Sequence, residues 1–409
     1  MADQARRLRE LLAAILPQNR FYAEKFAGVD PSRAEFAKLP FTTKTELVAD
    51  QKAHPPYGRV LTFPLDRYVR THQTSGTTTG APLRWLDTRE SWDWMLGCKE
   101  QILRLIGLRP DDRLLFTFSF GPFLGFWTGF EAAARAGYFM LPAGGMSSVA
   151  RLHYLLDNAA TVVFCTPSYA LHLAEVAAKE KLDLVHSPVR MLVLAGEPGG
   201  SIPATRERIE SAWGARVIDH SGMTEVGPVA VECEASPGGM HVLENDFVAE
   251  VIDPATGAAL APGKVGELVL TNFGRVGSPL IRYRTGDFAR LGLEPCRCGC
   301  PFARLAGGLL GRVDDMIHLR GNNVYPAALE AIIRRFREVV EFRVTVDRST
   351  PLANLRIEIE SVPSADGSLL VNRIRHALSD ELLFRADVVC VPSGTLPRFE
   401  MKARRVVAK

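Results

Sequence analysis

Residues 161–222 read TVVFCTPSYALHLAEVAAKEKLDLVHSPVRMLVLAGEPGGSIPATRERIESAWGARVIDHSG, and their pattern decides the fold. Three short apolar runs, TVVFCT (161–166), VRMLVLAG (189–196) and RVIDHSG (216–222), alternate with two amphipathic stretches, SYALHLAEVAAKEK (168–181) and ATRERIESAWG (204–214). The short runs have strand length, and the longer ones carry apolar residues at helical spacing. Strand, helix, strand, helix, strand is the signature of right-handed crossovers, which lay successive strands into a parallel or mixed sheet. The alternation already begins at LLFTFSF (114–120) and FEAAARAGYFML (130–141), so residues 114–231 are expected to form an α/β core. Nucleotide-sized ligands of such sheets sit at the carboxyl ends of the strands.

Outward from this core the texture changes. Residues 1–70 are polar and helical in pattern, punctuated by Pro31, Pro40, Pro55, Pro56 and Pro64, and are expected to form a cap. After Gly238, FVAEVIDPATG, APGKVGELVLTNF and PLIRYRTGDFARL are β-rich segments joined by Pro/Gly turns, the mark of an antiparallel or barrel-like unit. From Gly311 onward the order helix, strand, strand, helix fits a small α+β domain with a hinge near Asp314. The expected fold class is therefore α/β. A large N-terminal domain over 1–312 comprises the cap (1–70), the α/β core (71–235) and a β-rich subdomain (236–312), and a small mobile lid follows over 313–409.

Composition narrows the function. The 409 residues carry 49 Lys and Arg against 46 Asp and Glu, a formal charge of +3, with 47% hydrophobic and 23% charged residues. Two or three globular domains fit that length. So balanced a charge supplies no general field for nucleic acid or an anionic membrane, so an anionic ligand must be small and held by a local site. The uncharged run LLFTFSFGPFLGFWTGF (114–130) nearly reaches bilayer length. Gly121, Pro122, Gly125 and Gly129 interrupt it, and Asp111, Asp112, Arg113 and Glu131 close its ends, so a buried strand, a turn and the start of a packed helix are expected. The first residues, MADQARRLRELLAAILPQ, interleave charge with apolar residues as an amphipathic helix does and a signal peptide does not, so a cytoplasmic protein is expected. Seven Cys are too few and too unevenly placed for a disulfide scaffold.

HQTSGTTTGAP (72–82) places the hydroxyls of Thr74, Ser75, Thr77, Thr78 and Thr79 beside Gly76 and Gly80, after an expected strand at RYVRT. Such a loop offers the close-range donors that a polyphosphate requires. Read alone it fits a flexible surface linker equally well. Five further segments follow: LAGEP (194–198), DHSGMTE (219–225), YRTGD (283–287), GRVDDMIHLRGNNVYP (311–326) and LPRFEMK (396–402). Together with RFYAEKF (20–26), FAKLPFTTKTEL (36–47) and CTPSY (165–169), in this order and spacing, they resemble the acyl-adenylate-forming superfamily of acyl-CoA ligases, most closely its phenylacetate-CoA ligase branch. The resemblance covers nearly the whole chain.

It implies the following roles. In DHSGMTE the Thr224 hydroxyl would reach the α-phosphate and the Glu225 carboxylate would bind Mg²⁺, a hard cation that takes oxygen ligands; a lone Thr-Glu pair otherwise marks a helix start. Glu197 and Pro198, with Asp219, His220, Ser221 and Gly222, would frame the adenine, with His220-Ser221 standing where relatives commonly carry an aromatic before the glycine. Asp287 would accept both ribose hydroxyls, or else be an ordinary turn aspartate. Arg312 would lie near ribose and phosphate, and Gly321 of GNNVYP would line the pantetheine path. Lys402 would stabilise the charge that develops as a carboxylate attacks the α-phosphate. The competing reading is a solvated basic tail with Arg398, Arg404 and Arg405. Met401 replaces the glycine that family motifs place before this lysine. Relatives read TSGTTGKP where this chain reads TSGTTTGAP, so Ala81 stands for their lysine, and weaker ATP binding or a changed nucleotide pose is expected unless Arg84 compensates.

Cys296, Cys298 and Cys300 fall within five residues, and Cys233 and His241 lie upstream in ECEASPGGMHV. Zinc commonly takes four Cys/His ligands. Some phenylacetate-CoA-ligase-like proteins carry a zinc here, and the resemblance implies the set Cys233, His241, Cys296 and Cys298, with Cys300 the alternate, as a structural site. The other reading is a group of reduced, unligated thiols.

The expected function is an ATP-dependent acid–CoA ligase that uses ATP, Mg²⁺ and coenzyme A and carries a structural Zn²⁺. Phe118, Phe120, Phe123, Phe126 and Trp127, with Gly121, Gly125 and Gly129, offer walls and room for a flat acid of the phenylacetate or benzoate kind. Two alternatives stay open: an adenylyltransferase of the coenzyme F390 synthetase type or acyl transfer to a carrier protein, and a non-catalytic zinc-stabilised ligand-binding protein. No nucleic-acid or membrane partner is expected, and a homodimer is left open.

Overall fold

The computed structural model describes residues 2–74, 82–292, 294–313, 315, 317–319, 322–347, 354–382, 384, 386–399 and 402–408. It comprises two compact units, Met1–Gly145 with Ile218–Gly308, and Met146–Val217 with Leu309–Lys409.

In the first unit the opening helix, Ala2–Ile15, turns Leu8, Leu11, Leu12 and Ile15 inward at the i, i+3, i+4, i+7 spacing of one face. Arg6 pairs on the opposite face with Asp3 and Glu10. Asn19 caps Arg20–Lys25, and a Thr43/Glu46 capping box starts Lys44–Ala53. The hairpin Tyr68–Gln73 and Arg84–Thr88 leads into the helix Arg89–Leu105. The uncharged run resolves into the strand Arg113–Phe116, an irregular stretch and the helix Leu124–Arg135, which returns the chain to the parallel strand Phe139–Pro142. No described helix is long and apolar enough to cross a membrane.

Two runs of antiparallel strands complete this unit. Arg216–Met223, Gly227–Cys233, Ser236–Val242 and Arg304–Ala306 pair in succession. The expected β-rich segments become Phe247–Ile252, Val265–Asn272 and Tyr283–Arg290.

In the second unit the apolar runs become the parallel strands Val162–Cys165 and Met191–Leu194, every residue buried, joined through the helix Pro167–Lys179. A continuous apolar run is what a strand covered on both faces requires. The helices Ser148–Asp157 and Pro203–Trp213 flank them in sequence. The C-terminal part forms a four-stranded sheet in the order Asp387–Val391, Asn354–Ser361, Val339–Asp347, Val406–Ala408. Leu329 of the helix Pro326–Ile333 and Ile374 and Leu378 of Gly367–Leu382 share a core with Phe342, Val344, Ile357 and Ile359. The helix, strand, strand, helix order holds, and the two edge strands, both parallel to their neighbours, are additions to it. The α/β class with mixed sheets is as expected.

Candidate active site

At the neck of the Thr/Ser-rich loop, the buried Thr74 donates its N–H to the Leu83 carbonyl at 2.9 Å and accepts the Leu83 N–H on Oγ1 at 3.0 Å. Ser75, Gly76, Thr77, Thr78, Thr79 and Gly80 lie outside the described residues, as do Ala81, Asp314, Gly321 and Met401. Arg84, beside that loop, donates to the Pro56 carbonyl at 2.9 Å.

DHSGMTE closes a hairpin between Arg216–Met223 and Gly227–Cys233, not a helix start. Gly222 permits the closure: a Cβ there would stand 2.9 Å from the Gly227 carbonyl oxygen and 3.1 Å from the Pro228 Cα. The turn is held from below. Arg275 donates to the Thr224 carbonyl at 2.6 Å and forms a fully buried two-pronged pair with Asp87 at 2.7 Å per contact. Burial alone would raise the Asp87 carboxyl, but the Arg275 charge outweighs it and holds the group below its ordinary range. Tyr283 donates its hydroxyl to Glu225 Oε1 at 2.8 Å, so the buried carboxylate is oriented with one oxygen engaged. Asp219 donates its N–H to Glu232 at 3.0 Å, and His220 Nε2 meets the buried Lys99 ammonium nitrogen at 2.9 Å. Asp87, Lys99, Arg275 and Tyr283 were not among the site residues expected from sequence. Tyr283 alone had a signal, as the first letter of YRTGD.

Asp287 sits within the strand Tyr283–Arg290 rather than in a turn. The register against Val265–Asn272 shifts there, and Gly286 takes a φ of 74° that only glycine adopts easily. Such a bulge re-aims the next side chain. The Asp287 N–H is bonded to Thr285 Oγ1 at 3.0 Å, whose hydroxyl donates in turn to the Leu268 carbonyl.

In the second unit LAGEP and the C-terminal segment meet. Glu197 accepts the Ser168 N–H at 2.8 Å on one carboxylate oxygen and the Ala403 N–H at 2.5 Å on the other. Lys402 Cε lies 3.7 Å from where a Cβ on Gly196 would stand. Arg398 pairs with Glu175 at 2.8 Å and Glu360 at 2.7 Å, and Arg405 pairs with Glu341 at 2.7 Å. Arg398 and Arg405 are thus committed to carboxylates, whereas Lys402 and Arg404 are exposed. Pro198 follows Glu197, and Arg312 is half-buried in the strand Gly311–Arg312.

The aromatic segment presents half-buried rings rather than a closed core. Phe118 stacks on Phe126 at 4.3 Å, Phe120 meets Trp127 at 4.7 Å and Phe130 at 5.0 Å, and Phe123 meets Phe126 at 6.0 Å.

Cys233, His241, Cys296 and Cys298 place four ligand atoms within 4.8 Å of one another. Cys300 is outside this group, its N–H 3.4 Å from Cys298 Sγ. His241 Nδ1 lies 3.1 Å from the Phe302 carbonyl, which requires a proton on that nitrogen and leaves the Nε2 lone pair facing Cys298 Sγ at 3.3 Å. Burial, then the Cys296 contact, push the Cys233 thiol up. Burial would raise Cys296 too, but the Cys298 N–H and the surrounding thiol and imidazole bring it down.

Comparison with known proteins bears on this arrangement. The AMP-binding enzyme family matches residues 74–274, and the AMP-binding enzyme C-terminal domain matches residues 321–409. A phenylacetate-coenzyme A ligase of Thermus thermophilus is 33% identical, with 99% of this chain and 96% of that protein covered. One from Escherichia coli is 31% identical, over 99% and 94%. The crystal structure of a 2-hydroxyisobutyryl-CoA ligase in its postadenylation state, bound to an acyl-AMP, superposes with a TM-score of 0.93 at 30% identity, over 99% of this chain and 88% of that one. On these matches, which span nearly its full length, the chain belongs to the AMP-binding, adenylate-forming enzymes, within their phenylacetate-coenzyme A ligase branch.

Proposed function

We propose that this acid–CoA ligase activates a small aromatic carboxylic acid of the phenylacetate or benzoate kind. One oxygen of the acid attacks the α-phosphorus of ATP as the bond to pyrophosphate breaks. The CoA sulfur then attacks the acyl carbon and AMP departs. The observation that carries this reading is the seat of Lys402, brought beside Gly196 by the Ala403–Glu197 bond while Arg398 and Arg405 are tied to carboxylates. A cation so placed stabilises charge developing at the α-phosphate.

The remaining roles are those that the likeness to the family implies. Thr74 and the loop after it would hold the polyphosphate, and Thr224 the α-phosphate. Residues 196–198 and 219–222 would frame the adenine, Asp287 the ribose hydroxyls, and Arg312 the ribose and phosphate. Glu225, with one oxygen on Tyr283, would hold the Mg²⁺ that accompanies ATP. We read 1–312 as the body and 313–409 as a lid turning about Asp314, which withdraws Lys402 and brings Gly321 to the pantetheine path. Cys233, His241, Cys296 and Cys298 suit Zn²⁺ in their soft donor set and in the fixed imidazole tautomer, and would pin the hairpin after DHSGMTE to the loop at 296–298. Reduced thiols and a CoA pool fit a cytoplasmic enzyme.

Pyrophosphate release tests the reading, measured over a panel of acids with and without CoA. Release with at least one aromatic acid, and a thioester only when CoA is present, is expected. Release without any thioester favours another acceptor, and no release with any acid refutes ligation.

A further inference from the structure

We propose that Lys99 and His220 form the polar end of the acyl pocket and select acids whose acyl part carries a hydrogen-bond-accepting oxygen, such as a hydroxyl, oxo or second carboxylate group. This rests on the adenylation reading for the site but goes beyond it in naming what the acid must carry.

Lys99 stands on the inward face of the helix Arg89–Leu105, where Met95, Cys98, Ile102 and Leu103 are also buried. It is only 2% exposed. At such a position an apolar residue, or a lysine paired with a carboxylate, is the rule. Lys99 is neither: among the described residues its polar partner is His220 Nε2 at 2.9 Å. An ammonium has three hydrogens to donate, so two are left for something else. His220 is incomplete too. Its Nδ1 is out of reach of solvent and has no hydrogen-bond partner among the described residues.

The pair stands where an acyl group would be. The lysine stem runs beside the aromatic segment: a Cβ on Gly129 would stand 3.7 Å from Lys99 Cε and 3.7 Å from Phe116 Cε1. Phe116 leads on to Phe118 at 5.9 Å and Phe130 at 5.3 Å, the inner members of the ring cluster. At its other end the amine meets His220, inside the DHSGMTE strand that leads to Thr224 and Glu225. An acid with its carboxylate at that turn and its acyl part among the rings passes this pair.

The energetics give the direction of selection. Burial brings the Lys99 ammonium down to about 7 and, with the lysine beside it, the His220 imidazole well below its ordinary value, because nothing charged opposes either. An acceptor oxygen answers the unused donors; a hydrocarbon leaves them buried and unmet. Sites built around such donors reject analogues that lack the matching atom.

The test pairs acids of equal shape, phenylacetate with its 3- and 4-hydroxy derivatives and butyrate with its 2- and 3-hydroxy derivatives, on wild type and Lys99→Met. Met keeps the length of the stem among apolar neighbours, so an unfolding midpoint at or above wild type is expected. In wild type at least one oxygenated acid should exceed its parent in kcat/KM for pyrophosphate release by about tenfold or more, and Lys99→Met should bring that ratio to about one. Calorimetry in two buffers near pH 8 should show proton uptake when the preferred acid binds wild type, absent in the variant. Pyrophosphate release with no preference that depends on Lys99 overturns the inference and leaves ligation standing. Binding with proton uptake but no pyrophosphate from any acid overturns ligation and leaves the inference standing; neither signal overturns both.

Discussion

Tyr283 and Arg275 show how much of the turn at Thr224 and Glu225 is decided beneath it. Glu225 keeps one oxygen on the Tyr283 hydroxyl, and the Thr224 carbonyl is held by a guanidinium already paired with Asp87. Removing the tyrosine oxygen leaves a buried carboxylate short of a charge-assisted donor, a loss of about 1.5–3 kcal/mol. Tyr283→Phe should therefore fold normally and lower kcat/KM for Mg·ATP by roughly tenfold to a hundredfold. Pyrophosphate release at varied Mg·ATP checks this, and a change below twofold would show that the bond does not orient Glu225. The Asp87–Arg275 pair spans 188 residues and had no local signature in the sequence. Lys99 was hidden differently: KEQ reads as a polar stripe, and only the phase of the helix shows Lys99 turned inward.

At the scale of elements, the apolar runs at 161–166 and 189–196 were legible because strands covered on both faces leave no polar positions to confuse the pattern. The edge strand Val406–Ala408 was not. It is three residues long, follows Arg404 and Arg405, and acquires its identity only from pairing with residues 344–346. The hairpin Gly227–Cys233 and Ser236–Val242 belongs between these cases, since its strands were unmarked but its Cys233 and His241 were read as ligands together with the loop that follows Pro295. Purified protein should contain about one equivalent of zinc. Cys296→Ser or Cys298→Ser should bring that below half and lower the unfolding midpoint by several degrees, whereas Cys300→Ser should do neither. Metal analysis and thermal unfolding decide it: full zinc in Cys296→Ser, or its loss in Cys300→Ser, would reassign the ligands.

For the molecule as a whole, the proposed turning of residues 313–409 sorts the bonds around Lys402 into two kinds. Arg405–Glu341 and Arg398–Glu360 lie wholly within the lid and would travel with it. Arg398–Glu175 and the Ala403–Glu197 bond join it to residues 146–217 and would break. On that proposal Lys402 would depend on contacts made in one half-reaction only. Lys402→Ala should reduce adenylation by at least about a hundredfold, the loss seen when a preorganised charge is removed from a transition state, and leave thiolation of a supplied acyl-adenylate nearly intact. Glu175→Gln should act more mildly. The Arg398–Glu175 pair is partly exposed, so its loss is worth about 1 kcal/mol, enough to shift the balance between the two arrangements about fivefold. Adenylation should slow by that factor while thiolation holds or quickens. Measuring the half-reactions separately distinguishes this from a general loss of stability, which would depress both, and equal slowing in Glu175→Gln would show that these bonds do not report on a moving lid.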